Sequence, residues 1–388
     1  MEQIYLDNSA TTRPLPEVVD AVVESMKVKY GNPSSLHNKG LKAERLMKEA
    51  RQKISKILKL KDKGEIIFTS GGTEANNLAI KGIVESYQNR GNHLITTEVE
   101  HSSVRNVFKY LENKGFEVTY LPVDQKGFIS LTDLRQAIRK KTILVSIMHV
   151  NNELGSIQPI EEAAEIIKEE NHMTFFHVDG IQSFGKIFIN PVKMGIDLLS
   201  ISGHKFHGPK GIGALYLKEG INIKPILHGG GQEGNIRSGT ENIPGIAGLT
   251  PALEGLPRLG PRKKSDNRLK DLRDYCIKQL QVRSGELPDH IINTPLDRGA
   301  APHIINISFA GLKGEVIIHS LESEGIYLST GSACHSQKNE KSSVLEAIGL
   351  PGKYLHGTIR ISFSKFNTEE EIDYFIDTLI TQLDFLCP

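Results

Sequence analysis

From about residue 60 to 220, short β-rich runs alternate with helical patterns, and this alternation constrains the fold more than any other feature of the chain. The strand-like runs are Glu65–Thr69, His93–Thr97, Glu117–Leu121, Ile143–Met148, Thr174–Asp179, Asp197–Ile201 and Gly213–Leu217. Several are continuous apolar runs, as strands buried on both faces require. Between them, apolar residues recur mostly at the spacing of one helix face, as in Leu78, Ile83, Tyr87 and in Val104, Val107, Phe108, Leu111. Alternating strand and helix units predict an α/β protein with a mostly parallel sheet covered by helices.

A second region follows a change in composition. Residues 251–264 carry Pro251, Pro257, Gly260 and Pro261 ahead of Arg262-Lys263-Lys264. Prolines remove amide donors and end helices, so a linker is expected there. Beyond it, Leu269, Leu272, Cys276 and Leu280 mark an amphipathic helix. Strand-like His303–Phe309, a helix near 314–324 and strand-like Thr358–Phe363 then describe a smaller α+β unit.

Charge and cysteine usage exclude several classes. Lys plus Arg is 47 against 46 for Asp plus Glu, a net charge of +1 that offers no broad footprint for nucleic acid or anionic membrane. The longest apolar stretches, such as Thr142 to Val150, are too short to span a bilayer. The start, Met1 to Asn8, lacks the basic and apolar regions of a signal peptide, so a cytosolic protein is expected. Cys276, Cys334 and Cys387 are too scattered for a disulfide framework or a metal site. Cys276 sits on a helical apolar stripe and reads as core, while Cys387 lies at the tail. Cys334 differs, because its segment Ser329–Ser336 is built mainly from small residues and runs into polar Gln337–Lys341. A thiol beside His335 and two lysines favours thiolate.

The residues able to do chemistry gather where predicted strands end. Ser70-Gly71-Gly72-Thr73-Glu74 follows a strand and opens a helix, where converging amides and the helix N-terminus suit a phosphate. Taken alone it is an ordinary glycine-rich turn capped by Thr73. His177-Val178-Asp179 ends a strand on a carboxylate, at the edge where ligands of α/β sheets collect, although a structural Asp fits equally. Ser202-Gly203-His204-Lys205 leaves the next strand. A lysine desolvated there frees a lone pair for Schiff-base chemistry, whereas a lone lysine is ordinarily a solvated surface residue. Together the three suit pyridoxal 5'-phosphate (PLP), which needs a phosphate cradle, a lysine for its aldehyde and a carboxylate on its ring nitrogen. Glu100-His101-Ser102-Ser103 begins a helix at the same edge, where an imidazole either stacks on a ring and moves protons or lies exposed. His149 to Glu153 brings amide groups there. Arg360 alternates with apolar neighbours in Thr358-Ile359-Arg360-Ile361, and an inward arginine requires an anion. A substrate carboxylate and a structural salt bridge both meet that need.

Ten segments in this order resemble the NifS/IscS-type cysteine desulfurases, within the fold-type I PLP enzymes of the class-V aminotransferase family. They are Tyr5–Thr12, Tyr30–Ser35, Phe68–Glu74, Thr142–Gly155, His177–Asp179, Ser202–Gly213, His228–Glu233, Arg237–Thr240, Gly331–Cys334 and Ile359–Ser362. The resemblance implies a mostly parallel seven-stranded sheet flanked by helices in a large PLP-binding domain, residues 15–255. A smaller α+β domain, residues 1–14 and 256–388, would carry the cysteine loop and the substrate arginine. By the same resemblance Lys205 would hold the cofactor's aldehyde, Asp179 its ring nitrogen, and His101 would stack on the ring. Asn152 and Gln182 would bind the phenolic oxygen, with Gly72, Thr73, Ser202 and His204 around the phosphate. Thr240 would reach the phosphate of a neighbouring subunit, which implies a homodimer. Arg360, helped by Asn152, would clamp the carboxylate of L-cysteine. Lys205 would remove the α-proton, and Cys334 would take the sulfur as a persulfide for an acceptor protein, an iron–sulfur scaffold or a tRNA-thiolation enzyme. His101 would give or accept protons. No metal, nucleic acid or membrane is implied.

Some positions depart from the family. Ile181 is bulkier than the usual Ala, Val or Thr, and Gly234-Asn235 stands where relatives often carry Arg. The prolines of 251–261 fall where relatives run a long inter-domain helix, so that helix is expected to be interrupted or shortened. The sequence ends at Pro388, short of the extension by which some relatives dock an iron–sulfur scaffold. The polar stretch after Cys334 resembles the longer-loop enzymes, which serve several acceptors. Two rivals share the fold, a selenocysteine lyase and an aminotransferase-like enzyme, and the latter has no use for Cys334. A third, a non-catalytic sulfur-relay scaffold, has no use for Lys205 and Asp179.

Overall fold

The computed structural model describes residues 3–257, 259–260, 268–297, 299–331 and 342–387. The chain begins with a short strand, β1 (Ile4–Tyr5), and two helices, α1 (Pro16–Lys27) and α2 (Asn38–Leu58). Strand and helix then alternate through β2 (Gly64–Thr69), α3 (Gly72–Tyr87), β3 (His93–Thr97), α4 (Ser102–Glu112), β4 (Glu117–Leu121) and α5 (Leu131–Ala137). The pattern continues with β5 (Thr142–Met148), α6 (Ile160–Glu170), β6 (Phe175–Asp179), β7 (Leu198–Ser202) and β8 (Gly213–Lys218), and α7 (Ile243–Glu254) follows.

Seven of these strands form one sheet in the order β2-β8-β7-β6-β5-β3-β4. Only β8 runs against its neighbours, so the sheet is mostly parallel. Successive side chains of a strand point to opposite faces, and here both faces are covered. Ile66 and Phe68, Leu199 and Ile201, Ala214 and Tyr216 pack beneath α1, α2, α6 and α7. Their neighbours Ile67, Leu198, Leu215 and Leu217 pack with Leu78 and Ile83 of α3 and Val104 and Phe108 of α4. Burial on both sides explains the unbroken apolar runs of the sequence, and this is the fold-type I architecture.

One sequence expectation needs correction. A linker from 251 was expected because proline ends helices, yet α7 runs through Pro251 to Glu254. Its buried face, Ile246, Leu249, Ala252 and Leu253, seats in the main core and holds the last turn despite the missing amide. Gly255, Leu256 and Pro257 then leave the helix.

The remaining elements are α8 (Arg268–Val282), β9 (His290–Ile292), β10 (Ile304–Phe309), α9 (Gly314–Ser323), β11 (Ile326–Tyr327), α10 (Ser343–Ala347), α11 (Gly352–Leu355), β12 (Thr358–Ser362) and α12 (Glu369–Leu386). β12, β10 and β9 form an antiparallel sheet, and β1 pairs in parallel with β11. Ile305, Ile307, Ile359 and Ile361 of that sheet meet Leu272 and Leu280 of α8 and Phe375, Leu379 and Leu383 of α12. Thr368 and Glu371 form a reciprocal capping box that starts α12. Cys276 lies fully inside this second core, where burial pushes its thiol far above the ordinary range, as the stripe on α8 predicts. The segment Asn8–Thr12 ties the two cores together, with Ser9 N–H donating to Ser362 Oγ at 2.8 Å and Thr12 N–H to the His204 carbonyl at 3.0 Å.

Candidate active site

The C-terminal ends of β5, β6 and β7 deliver their residues to one edge, facing the start of α3. Gly71 is the N-cap of α3 and offers no side-chain oxygen, so its first-turn amides keep their capacity for an outside acceptor. A cleft of about 430 Å³ opens against them, lined by Ser70 to Glu74, Ser202, His204, Lys210, Gly211, Ala10 and Thr11. Close backbone approach is needed here. A Cβ on Gly213 would stand 2.7 Å from the Gly71 Cα.

Ile181 is explained by its neighbour. A Cβ on Gly72 would fall 2.1 Å from Ile181 Cδ1, so the bulk at 181 depends on glycine at 72. Gly72→Ala is therefore expected to destabilise the protein by about 1–3 kcal/mol, the usual cost of overpacking. In an Ile181→Ala background the same change is expected to cost nothing. Denaturant melts of the double-mutant cycle check this, and simple additivity would contradict it.

Asp179 closes β6 with 4% exposure. Its Oδ2 accepts from Asn76 Nδ2 at 2.8 Å and its Oδ1 from Ile181 N–H at 3.0 Å, both neutral donors. Lys205 ends the one-turn helix after β7, and its Nζ donates to the carbonyls of Ser9 at 2.5 Å and Ala10 at 2.8 Å. Gln182 is buried and donates to the same Ser9 carbonyl at 2.9 Å. His204 meets Thr11 Oγ1 at 3.1 Å, and burial, with Lys205 and Lys210 nearby, pushes its imidazole down to about 4. It is neutral at neutral pH.

His101 is the N-cap of α4, and its ring accepts from Ser103 N–H at 3.1 Å. Behind it Glu100 is fully buried and bonded by Thr97 Oγ1 and Met148 N–H. Burial, reinforced by the Asp179 charge, pushes Glu100 up to about 8, so it is largely protonated. Asn151 shapes the turn after β5 by accepting from Glu153 N–H and Leu154 N–H, which presents the partly exposed Asn152.

Arg360 on β12 is 3% exposed and already engaged. Its Nη2 donates to Asp7 Oδ1 and Ser329 Oγ, each at 2.8 Å, and its Nη1 to the Asn152 carbonyl at 2.9 Å. Its Nε has no acceptor among the described residues. The structural salt bridge that the sequence left open thus exists, with Asp7 as the anion. Thr240 is exposed and apart from the cleft lining. It ends a loop pinned by the Glu233 carboxylate on Arg51 and Phe68 N–H, and by Arg237 on Glu74. Cys334 lies outside the described residues.

Sequence reasoning missed Asn76, Lys210 and Lys186. Lys186 is buried without a hydrogen-bond partner among the described residues, and burial, with Lys205 and Arg360 nearby, pushes its amine down to about 7.

These residues fit PLP. The uncapped α3 terminus beside Ser202, His204 and Lys210 suits a phosphate ester. The buried Asp179 carboxylate, held among the described residues by the neutral donors Asn76 and Ile181 N–H, suits a protonated ring nitrogen, and Lys205 is the amine at the same edge.

The class-V aminotransferase family model matches residues 4–375 of this chain. A protein named cysteine desulfurase IscS from Dictyoglomus turgidum is 47% identical over 377 residues, covering 97% of this chain and 93% of that one. Among solved structures, a NifS-like protein superposes with a TM-score of 0.88 at 38% identity, covering 99% of this chain and all, 100%, of the other. A structure titled SspA in complex with cysteine gives 0.80 at 35% identity, covering 94% and 100%.

Proposed function

Because the chain belongs to the class-V aminotransferase family, and its relatives over nearly its whole length are cysteine desulfurases, we propose that the site above desulfurates L-cysteine. The enzyme is a PLP-dependent cysteine desulfurase, yielding L-alanine and a sulfur carried on Cys334. The observation that carries the reading is the convergence of Lys205, Asp179 and the uncapped α3 terminus at one sheet edge.

When bound, PLP supplies an aldehyde for an amine and a ring that accepts the electron pair left on the substrate's α-carbon. Lys205 is the amine that holds it and the base that takes the α-proton. Asp179 keeps the ring nitrogen protonated, with Asn76 and Ile181 N–H fixing the carboxylate. Gly72, Thr73, Ser202 and His204 hold the phosphate, and Gln182 and Asn152 the phenolic oxygen. Thr240, exposed in one chain, reaches the phosphate of a second copy, so the working unit is a homodimer. With residues 15–255 as the large unit and 1–14 with 256–388 as the small one, the site lies between them. Arg360 takes the substrate carboxylate in exchange for Asp7. The Cys334 thiolate forms an S–S bond to the substrate sulfur as the C–S bond breaks. The bonding pair stays on carbon, which is protonated to alanine, and Cys334 is left as a persulfide.

The sulfur then passes to an acceptor protein, an iron–sulfur scaffold or a tRNA-thiolation enzyme. Among the described residues no helix is long and apolar enough to cross a membrane. A cytoplasmic location accords with that. The test is product analysis of the holoenzyme with L-cysteine and a thiol reductant. Equal amounts of alanine and sulfide are expected. Amino transfer to a 2-oxo acid without sulfide, or turnover of selenocysteine alone, would overturn the reading.

A further inference from the structure

Behind the candidate site, a chain of hydrogen bonds joins Asp179 to His101 through Asn76 and the Ser103 hydroxyl. Asn76, fully buried on α3, donates from Nδ2 to Asp179 Oδ2 at 2.8 Å and to Ser103 Oγ at 2.9 Å. The orientation of its amide is settled by the carboxylate, since the carbonyl end turned toward Asp179 would repel it. That leaves Asn76 Oδ1 buried with no donor among the described residues, a cost that an apolar residue would avoid. Both Nδ2 hydrogens are therefore committed, and the Ser103 hydroxyl is an acceptor on that side. It lies 2.8 Å from His101 Nδ1.

A hydroxyl can give or take, so this contact alone does not fix the ring. The backbone does. Ser103 N–H, a group that only donates, reaches the same Nδ1 at 3.1 Å. Nδ1 must then carry a lone pair, and the Ser103 hydroxyl, satisfied as an acceptor by Asn76, turns its hydrogen to that nitrogen as well. A neutral imidazole with an unprotonated Nδ1 bears its proton on Nε2. The imidazolium would aim an N–H at two donors at the positive end of α4, which opposes it further.

We propose that Asn76 and Ser103 are positioning residues that hold His101 as the neutral tautomer protonated at Nε2. On the desulfurase reading, which this consequence rests upon, His101 first gives a proton from Nε2 and does not act there as a base. Removal of the α-proton then falls to Lys205 alone.

The test is long-range ¹H–¹⁵N correlation on holoenzyme labelled with [¹⁵N]histidine, the His101 signals assigned by their loss in His101→Gln. At neutral pH a single tautomer with proton on Nε2 and a non-protonated Nδ1 is expected. Ser103→Ala, which removes one donor but keeps the backbone N–H, is expected to keep the tautomer and shift Nδ1 toward its non-hydrogen-bonded position. Asn76→Ala is expected to shift it in the same direction by less. A proton on Nδ1 in the unaltered enzyme would overturn the proposal, as would an Nδ1 signal unmoved in Ser103→Ala. These signals are read without turnover, so they stand or fall separately from the desulfurase reading.

Discussion

Lys205→Ala is expected to lower turnover of L-cysteine by about 10²–10⁴-fold, the usual contribution of a positioned general base. The variant is also expected to lose the visible absorption of lysine-bound cofactor. The cleft at the α3 terminus and the Asp179 carboxylate do not depend on Lys205, so PLP should still bind without a covalent link. The Lys205 amine is held by the carbonyls of Ser9 and Ala10, contributed by the segment that ties the two cores together. Truncation leaves those carbonyls without this donor but opens no cavity in either core. Absorbance spectra and alanine production check the expectation. A variant that keeps its turnover would remove Lys205 from the chemistry.

Cys334→Ala is expected to divide the reaction in two. Lys205, Asp179 and Arg360 lie elsewhere in the chain, so cofactor loading and exchange of the substrate α-proton in deuterated water should persist. Alanine formation should fall to the uncatalysed background, because no other thiol can replace the lost one. Cys276 is fully buried in the second core with its thiol pushed up by burial, and Cys387 sits just beyond α12. Continued alanine and sulfide release from this variant would assign the sulfur step to another group.

Much of the fold was legible because burial on both faces leaves a plain mark. β3 and β4 have the limits that their apolar and β-branched residues suggest, and the other seven expected strands differ by a residue at one or both ends, whereas the short β1, β9 and β11 leave too few residues to show a pattern. Strand direction leaves no such mark, so antiparallel β8 could not be told from its parallel neighbours. Pro251 misled because the burial of α7, a tertiary property, outweighs the local cost of proline. The glycine turn of Gly71-Gly72-Thr73 was legible as a helix start, although its cap is Gly71 rather than Thr73. Asn76 was not legible. On α3 it reads as one more polar helical residue, and its partners Ser103 and Asp179 are 27 and 103 residues away. Likewise Asp7 and Arg360 are 353 residues apart, so a salt bridge could be weighed but its anion could not be named. Ile181 stood out as too large for its place until Gly72 was seen beneath it.

The most direct measurement of the central claim is the mass of the peptide containing Cys334 after the purified holoenzyme is incubated with L-cysteine in the absence of reductant. The account predicts a gain of one sulfur atom on that peptide, absent from Lys205→Ala. An unchanged mass, in protein shown to contain PLP, would contradict it.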